Sequence, residues 1–233
     1  MKKIELYEDD IGFVEYVSHM GSDVTVVNSA RVSFGKHITD LDKHDKKLIK
    51  YLIKHKHTST LEHNVITFRF KVPLFIRSQH HRHRTWSYNE ISRRYTEFDL
   101  EFYEPEKFRQ QSKSNRQAST DCLFDPMLGD VLGLASEVIK IHHEASLYLY
   151  ESLLEAGVCR EQARGVLPQN LYTEYYGTCN LNNLFKFIDL RVHEGAQWEI
   201  QQVAKACLEI VKDLFPETTK AYMETMKENK TNV

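Results

Sequence analysis

Residues 64–72, N-V-I-T-F-R-F-K-V, alternate between apolar and polar side chains with a period of two. The two sets of alternating side chains are Ile66, Phe68, Phe70 and Val72 on one side, and Val65, Thr67, Arg69 and Lys71 on the other. This pattern predicts a β-strand with one buried face. Pro73 ends the strand and is suited to the first turn of a following helix.

The remaining periodic segments mix strands and helices. In residues 43–54, Leu48, Ile49, Leu52 and Ile53 share one helical face. The other predicted elements are strands at 2–7 and 171–178 and helices at 126–156, 180–190 and 197–214, with Gly157 and Pro216 as stop signals. No regular strand–helix–strand rhythm is present, which favours an α+β fold over a doubly wound sheet.

Length and charge restrict the function classes. A chain of 233 residues fits one compact domain over 1–233, in which the polar segment 105–121 is expected to be a mobile surface loop. The formal net charge of -2 provides no overall attraction to nucleic acid or an anionic membrane. No secretory signal or membrane-spanning apolar run is present, and the four cysteines form no C-x-x-C pair. We therefore expect a cytoplasmic protein with reduced thiols.

The segment 77–95, R-S-Q-H-H-R-H-R-T-W-S-Y-N-E-I-S-R-R-Y, is strongly cationic. It contains the arginines Arg77, Arg82, Arg84, Arg93 and Arg94 and the histidines His80, His81 and His83. Glu90 is the one acid within it. Because packing so many guanidinium groups together requires neutralising anions, and because each presents a planar fork to phosphate oxygens, the segment is a candidate site for phosphorylated ligands.

Three other interpretations of this segment remain open on composition alone. It is compatible with a solvated basic face paired with the acids that follow it, Glu97, Asp99, Glu101 and Glu104. The H-H-x-H cluster is compatible with a metal site, although no cysteine or aspartate lies nearby to complete it. Aromatic residues interleave with the arginines, as in nucleic-acid-binding segments, but the acidic flank and the overall charge oppose this interpretation.

Residues 82–95, R-H-R-T-W-S-Y-N-E-I-S-R-R-Y, resemble the signature of flavin-dependent thymidylate synthases. In that signature R-H-R is followed by seven residues and a serine, which here are Arg82, His83, Arg84 and Ser92. The resemblance continues through His57, Glu62 and His63, through R-E-Q-A-R-G-V-L-P at 160–168 and N-L-Y-T at 170–173, and through A-Q-W-E-I-Q-Q at 196–202. It implies a single α+β domain of the thymidylate synthase-complementing type, with a mixed or antiparallel sheet flanked by helices.

The resemblance also implies the site residues. Those expected to contact dUMP are Gln79, Arg82, Glu90, Ser92, Arg93, Arg94, Arg164 and Arg191. Those expected to contact FAD are His57, Ser59, Arg82, His83, Arg84, Glu90, Asn180, Asn182 and Lys186. Asn180 is also a plausible helix N-cap, and Gln197 is expected to help orient the nucleotide.

Arg191 is the residue expected to be catalytic. In the family the matching arginine contacts the uracil ring and favours its anionic form, which a fixed cation stabilises. The local sequence is equally compatible with a surface arginine paired with Asp189 or Glu194.

The implied reaction is the reductive methylation of dUMP to dTMP. Its expected cofactors are FAD, NADPH and 5,10-methylenetetrahydrofolate, and no metal, nucleic-acid or membrane partner is expected. Family members assemble as homotetramers, so Arg164 and Arg191 are expected to face ligands bound partly by a second chain.

Overall fold

A computed structural model describes residues 2–95, 100–116, 118–129 and 133–231. A five-stranded antiparallel sheet lies at its centre. Its strands are β1 (Lys3–Glu5), β2 (Phe13–Met20), β3 (Val65–Pro73), β4 (Ser87–Glu90) and β7 (Tyr172–Asn180). They lie in the order β1-β2-β3-β7-β4 across the sheet. Strands and helices follow one another without a parallel crossover in this sheet, so the α+β prediction is confirmed.

Strand β3 is the middle strand, paired with β2 on one side and β7 on the other. The alternation read from the sequence is present in three dimensions: Ile66, Phe68, Phe70 and Val72 are buried, whereas Arg69 is half-buried. Pro73 is both the last residue of β3 and the N-cap of the helix that follows. Proline has no backbone N–H to donate and would interrupt the hydrogen-bond ladder inside a strand. At the end of β3 it does not interrupt the ladder.

Eight α-helices surround the sheet in the described part of the chain. They are α1 (Asp23–Arg31), α2 (Lys43–Lys54), α3 (Leu74–His80), α4 (Ala135–Glu155), α5 (Arg160–Ala163), α6 (Leu181–Arg191), α7 (Trp198–Leu214) and α8 (Pro216–Thr231). The predictions for α2, α6 and α7 are confirmed to within a residue. The main hydrophobic core lies between the sheet and helices α6 and α7.

Helix α4 begins nine residues later than the pattern predicts. Leu134 has extended backbone angles and forms a β-bridge with Met127, so the helix starts only at Ala135. Gly133, with φ of 100°, occupies the left-handed region just before this start, which glycine tolerates best. The predicted stop is confirmed, because Gly157 follows the helix with φ of 87°.

The expected surface loop over 105–121 is instead largely a β-hairpin. Strands β5 (Phe108–Gln111) and β6 (Ser119–Phe124) form a separate two-stranded antiparallel sheet. The sequence of this segment lacks the apolar alternation that marks a strand, so its strands could not be predicted locally. Contacts with residues distant in the chain hold the hairpin instead. Below, this element is called the 108–124 hairpin.

Helix α8 was not expected from the sequence. Pro216, which ends α7, is also the first residue of α8, a position that proline favours. Three ion pairs join α2, whose lysines are one turn apart, to α8: Lys46–Glu217, Lys50–Glu224 and Lys54–Glu228. Cys122, Cys159, Cys179 and Cys207 are all free thiols. Among the described residues, no helix has both the length and the apolar character needed to cross a bilayer.

Candidate active site

The cationic segment follows one continuous path from α3 through a turn at 81–86 into β4. His80, at the end of α3, is fully buried, and its Nδ1 lies 2.8 Å from the hydroxyl of Tyr175. Burial lowers the pKa of His80 well below its ordinary value, so this histidine belongs to the neutral core. The hydroxyl of Tyr88 lies 3.0 Å and 3.1 Å from the carbonyl oxygens of His80 and His83, which fixes the backbone of the turn.

Four side chains converge beside this turn. Arg191 Nε donates a hydrogen bond to His83 Nε2 over 3.0 Å, and Arg191 Nη2 reaches the carbonyl oxygen of Gln79 at 3.4 Å. The side-chain amide of Gln79 in turn donates to Gln197 Oε1. Residues from α3, from the turn, from the end of α6 and from the N-cap of α7 therefore meet at one place, here called the Arg191 cluster. Within the described residues, Arg191 pairs with neither Asp189 nor Glu194.

The electrostatics of the Arg191 cluster keep one cation in a fixed position. Burial, together with the adjacent Arg191 charge, lowers the pKa of His83 from 6.5 to about 4. At neutral pH His83 is therefore uncharged, and its Nε2 is free to accept the hydrogen bond from Arg191. Burial also lowers the pKa of the Arg191 guanidinium, which nevertheless stays charged because arginine titrates far above neutrality.

A cleft of about 670 Å³ lies on the other side of α3. Polar lining residues come from α3, from β4 and the residues after it, from β7 and from the 160–169 region. They include Arg77, Glu90, Ser92, Arg93, Glu161, Arg164, Gln169 and Thr173. Arg77 Nε lies 3.1 Å from Glu90 Oε1, and the hydroxyl of Thr173 donates to the same oxygen over 2.7 Å. Glu90 is thus held in one orientation at the wall of the cleft.

The cations and the hydroxyl group in this cleft suit a phosphate. Arg93 Nη2 contacts the carbonyl oxygen of Tyr172 at 3.4 Å, which keeps it at the wall. The hydroxyl of Ser92 accepts from the backbone N–H of Arg94 at 3.3 Å, and the Arg94 side chain lies 3.5 Å from Glu161. Guanidinium forks, hydroxyls and backbone N–H groups together form the usual donor set for a phosphate group.

Arg164 lines the same cleft within one chain. It begins the 3₁₀ turn Arg164–Val166, is exposed, and donates from Nε to the carbonyl oxygen of Glu161 at 3.4 Å. A second chain is therefore not required to bring Arg164 close to Ser92. The sharing of sites between chains stays a prediction.

A second pocket, of about 270 Å³, contains two of the residues expected to contact FAD. Asn182 and Lys186 of α6 line it, together with Lys56 and residues of α2 and α8. Asn182 is buried, and its amide donates to Glu62 Oε1 over 2.8 Å. The donors at this pocket include one amide, two ammonium groups and hydroxyl groups, which suit the carbonyl and phosphate acceptors of a dinucleotide, and Asp189 adds one carboxylate.

Four other residues that were expected to contact FAD are exposed, two beside the second pocket and two in the turn at 81–86. His57 and Ser59 are exposed in the region of the 3₁₀ turn Thr58–Leu61, next to the second pocket, and the ring of His57 stacks on Tyr51 at 5.7 Å between centroids. Arg82 and Arg84 are also exposed, and their side chains pair with no residue in the described ranges.

Asn180 caps α6. Its side-chain oxygen accepts from the backbone N–H of Asn183 over 2.9 Å, so the alternative prediction of an N-cap is confirmed. This contact occupies the oxygen and leaves the amide N–H groups for any other partner. Its expected contact with FAD stays a prediction.

Two contacts at the site were not predicted from the sequence. Thr173 holds Glu90, which lies 83 residues away in the chain, and Glu62 holds Asn182, which lies 120 residues away. Thr173 lies in N-L-Y-T and Glu62 in H-x-x-x-x-E-H, so the resemblance marked both segments without giving these roles.

The alternative interpretations of the cationic segment have different outcomes. Glu101 contacts Lys71 and Glu104 contacts His143, so these two acids do not pair with the cationic arginines. Glu97 and Asp99 lie outside the described residues. His81 packs on Tyr88, with ring centroids 4.1 Å apart, while His83 contacts Arg191. No cluster of three or more potential metal ligands occurs in the described residues.

Comparisons with known proteins give consistent results. The sequence model of the family described as thymidylate synthase complementing protein matches residues 15–217. Relatives named flavin-dependent thymidylate synthase from Thermus thermophilus and Kosmotoga olearia are 48% and 43% identical, over 94% and 91% of this chain and 78% and 90% of theirs. The solved structure of the UMP/dUMP methylase PolB from Streptomyces cacaoi, bound with 5-Br dUMP, is 33% identical with a TM-score of 0.77, covering 95% of this chain and 97% of that one.

Proposed function

Because the chain belongs to the thymidylate synthase complementing protein family, the flavin-dependent thymidylate synthases, we propose that it methylates dUMP to dTMP. We further propose FAD as the cofactor, reduced by NADPH, and 5,10-methylenetetrahydrofolate as the carbon donor. The observation that carries this proposal is the arginine-lined cleft in which Ser92, Arg93 and Arg164 meet.

In this proposal the cleft binds the nucleotide. Ser92, Arg93, Arg94 and Arg164 hold the phosphate group, and Glu90 contacts the sugar or keeps Arg77 in position. The nucleotide analogue bound to the Streptomyces cacaoi methylase supports a pyrimidine nucleoside monophosphate as the ligand of this fold. Gln79 and Arg82 extend this set of contacts toward the uracil ring.

In this proposal the Arg191 cluster contacts the uracil ring of the nucleotide. A guanidinium beside the uracil carbonyls stabilises the negative charge that the ring acquires as it is activated. Neutral His83 accepts the hydrogen bond that orients this guanidinium, and the carbonyl oxygen of Gln79 accepts a second one. Gln197 contacts the side chain of Gln79. The protein's own contribution is thus the position of one cation, with no reorganisation required during the reaction.

The residues present fit FAD. Asn182, Lys186 and the exposed Arg82 and Arg84 provide the donors that its carbonyl and phosphate oxygens need, and His57, Ser59, His83, Glu90 and Asn180 complete the proposed set. When bound, FAD supplies the hydride that completes the methyl group.

A homotetramer is also proposed. Helix α4 has an exposed apolar face formed by Ile141, Tyr148 and Leu149, which are 62%, 74% and 47% exposed and lie at helical spacing. Contiguous exposed apolar surface of this kind marks association sites. Mixing Arg164→Ala and Ser92→Ala chains tests whether sites are shared: recovery of activity in mixed oligomers supports sharing, and persistent inactivity opposes it.

Anaerobic absorbance spectroscopy with product analysis tests the proposed function. The flavin bands of the FAD-loaded protein are expected to bleach with NADPH, faster when dUMP is present, and dTMP is expected once methylenetetrahydrofolate is added. A protein that takes up no FAD, or that yields no dTMP, would contradict the proposal.

Replacing Arg191, and separately a control arginine far from the cluster in sequence, tests the proposed role of the Arg191 charge. Arg191→Ala is expected to lower dTMP formation about 100-fold, the effect of removing one preorganised charge from a site. Arg116→Ala removes an exposed arginine of the 108–124 hairpin and is expected to leave the rate unchanged. Equal rates for the wild type and Arg191→Ala would exclude Arg191 from the chemistry.

A further inference from the structure

The 108–124 hairpin is tied to the chain segment that carries the Arg191 cluster. Arg109, on β5, donates from Nη2 to Glu199 Oε1, and its guanidinium carbon lies 4.6 Å from the centre of the Trp198 ring. Trp198 and Glu199 are the first two residues of α7 and directly follow Gln197. Arg109 therefore contacts the two residues that follow Gln197, a member of the Arg191 cluster.

Glu199 is a buried carboxylate that needs its cation. Its side chain is 5% exposed, and besides Arg109 its Oε1 accepts from the hydroxyl of Tyr103 at 3.3 Å. Burial beside this carboxylate raises the pKa of Tyr103, which keeps the phenol protonated as a donor. A carboxylate that loses its paired cation in such surroundings is strongly destabilised, so Arg109 and Glu199 stay together.

Beside this contact, a cavity of about 260 Å³ is lined by residues of the hairpin, including Arg109, and by Gln197 and Glu199. At the turn of the hairpin, Asn115 lies within ordinary van der Waals range of Gly195, because a Cβ atom built on Gly195 would lie 3.8 Å from Asn115 Nδ2. The hairpin thus lies against residues 195–199, and the polar contact at Arg109 anchors one end.

We propose that Arg109 and Glu199 are positioning residues for the reaction. They fix the first turn of α7, and so hold Gln197 against Gln79, whose carbonyl oxygen accepts from Arg191. This inference rests on the proposed function, because it assigns the pair an effect on the orientation of Arg191. Small displacements of a catalytic group lower a rate strongly, which makes the anchor measurable through catalysis.

Variants of the FAD-loaded protein separate positioning from stability. Arg109→Ala is expected to lower kcat for dTMP formation about tenfold, with a smaller change in the KM for dUMP, and Arg109→Lys to recover part of the loss. Arg116→Ala is the matched control on the same hairpin. The double variant Arg109→Ala/Glu199→Gln removes both charges, so it is expected to regain thermal stability while kcat stays low.

Hydrogen–deuterium exchange of residues 191–199 in the substrate-free protein provides a readout that does not depend on activity. Arg109→Ala is expected to speed exchange there, and Arg116→Ala to leave it unchanged. Wild-type kcat in the double variant, or unchanged exchange in Arg109→Ala, would overturn the inference.

If the wild type forms no dTMP, the proposed function fails by itself. The exchange comparison then still decides the anchor: faster exchange in Arg109→Ala supports it, and unchanged exchange overturns it.

Discussion

Replacing His83 by glutamine isolates the effect of one titratable group on the stability of the Arg191 cluster. Glutamine keeps an oxygen that accepts the hydrogen bond from Arg191, but it does not titrate. In the folded chain, burial and the Arg191 charge lower the pKa of His83 to about 4, against 6.5 in the unfolded chain. As the pH falls below 6.5, the unfolded chain therefore binds the proton first.

The sign of the effect follows from this order of protonation. The stability contributed by neutral His83 is fully present above pH 6.5 and is lost as the pH falls toward 4. The interval between the pKa values of 6.5 and about 4 corresponds to at most about 3.4 kcal/mol of stability. Because the ring is only half-buried, solvent screening reduces the effect to about 1–2 kcal/mol. For a chain of this length that free energy shifts the unfolding temperature by about 3–6 °C.

Thermal unfolding followed by circular dichroism at about pH 7.5 and pH 4.5 measures this loss. The wild type is expected to lose more stability on acidification than His83→Gln, by the amount above. His80 faces His83 and Arg191 and is retained in both proteins. Because burial and then the charge of His83 lower the pKa of His80, the comparison reports the loss of His83 together with its effect on His80. His44→Gln, at an exposed position on α2, controls for removing a histidine. Equal losses in the wild type and in His83→Gln would refute the reasoning.

Two further substitutions test individual contacts. Asn180→Ala removes the N-cap of α6 and is expected to lower the free energy of unfolding by about 1 kcal/mol, measured by urea titration of the FAD-free protein. Unchanged stability there, with lost FAD uptake, would favour a direct contact with FAD instead. Thr173→Val removes the 2.7 Å hydrogen bond to Glu90 and is expected to weaken dUMP binding by about fivefold to tenfold in calorimetry, with FAD uptake preserved. Weakened FAD uptake with normal dUMP binding would contradict the assignment of Glu90 to the nucleotide cleft.

The parts of the fold that were predicted correctly have local periodicity. Strand β3 and helix α2 each bury one face, and the spacing of their apolar residues is set by strand and helix geometry alone. The N-cap at Asn180 was predictable for the same reason, because the contact spans three residues. Helix α8 and the 108–124 hairpin were missed because their stability comes from distant partners, namely the core into which Ala221 and Tyr222 of α8 pack and the contact between Arg109 and Glu199.

By itself, the sequence determined which residues are expected to carry the function, since the R-H-R signature and the arginines around it are contiguous in the chain. Only the tertiary structure decided how those residues meet. Arg191 lies 108 residues from His83, and Gln79 lies 118 residues from Gln197, so no local pattern predicts that these pairs are in contact. Their contacts arise because α3, α6 and α7 pack on the same sheet, and the burial that this packing creates is also what lowers the pKa of His83.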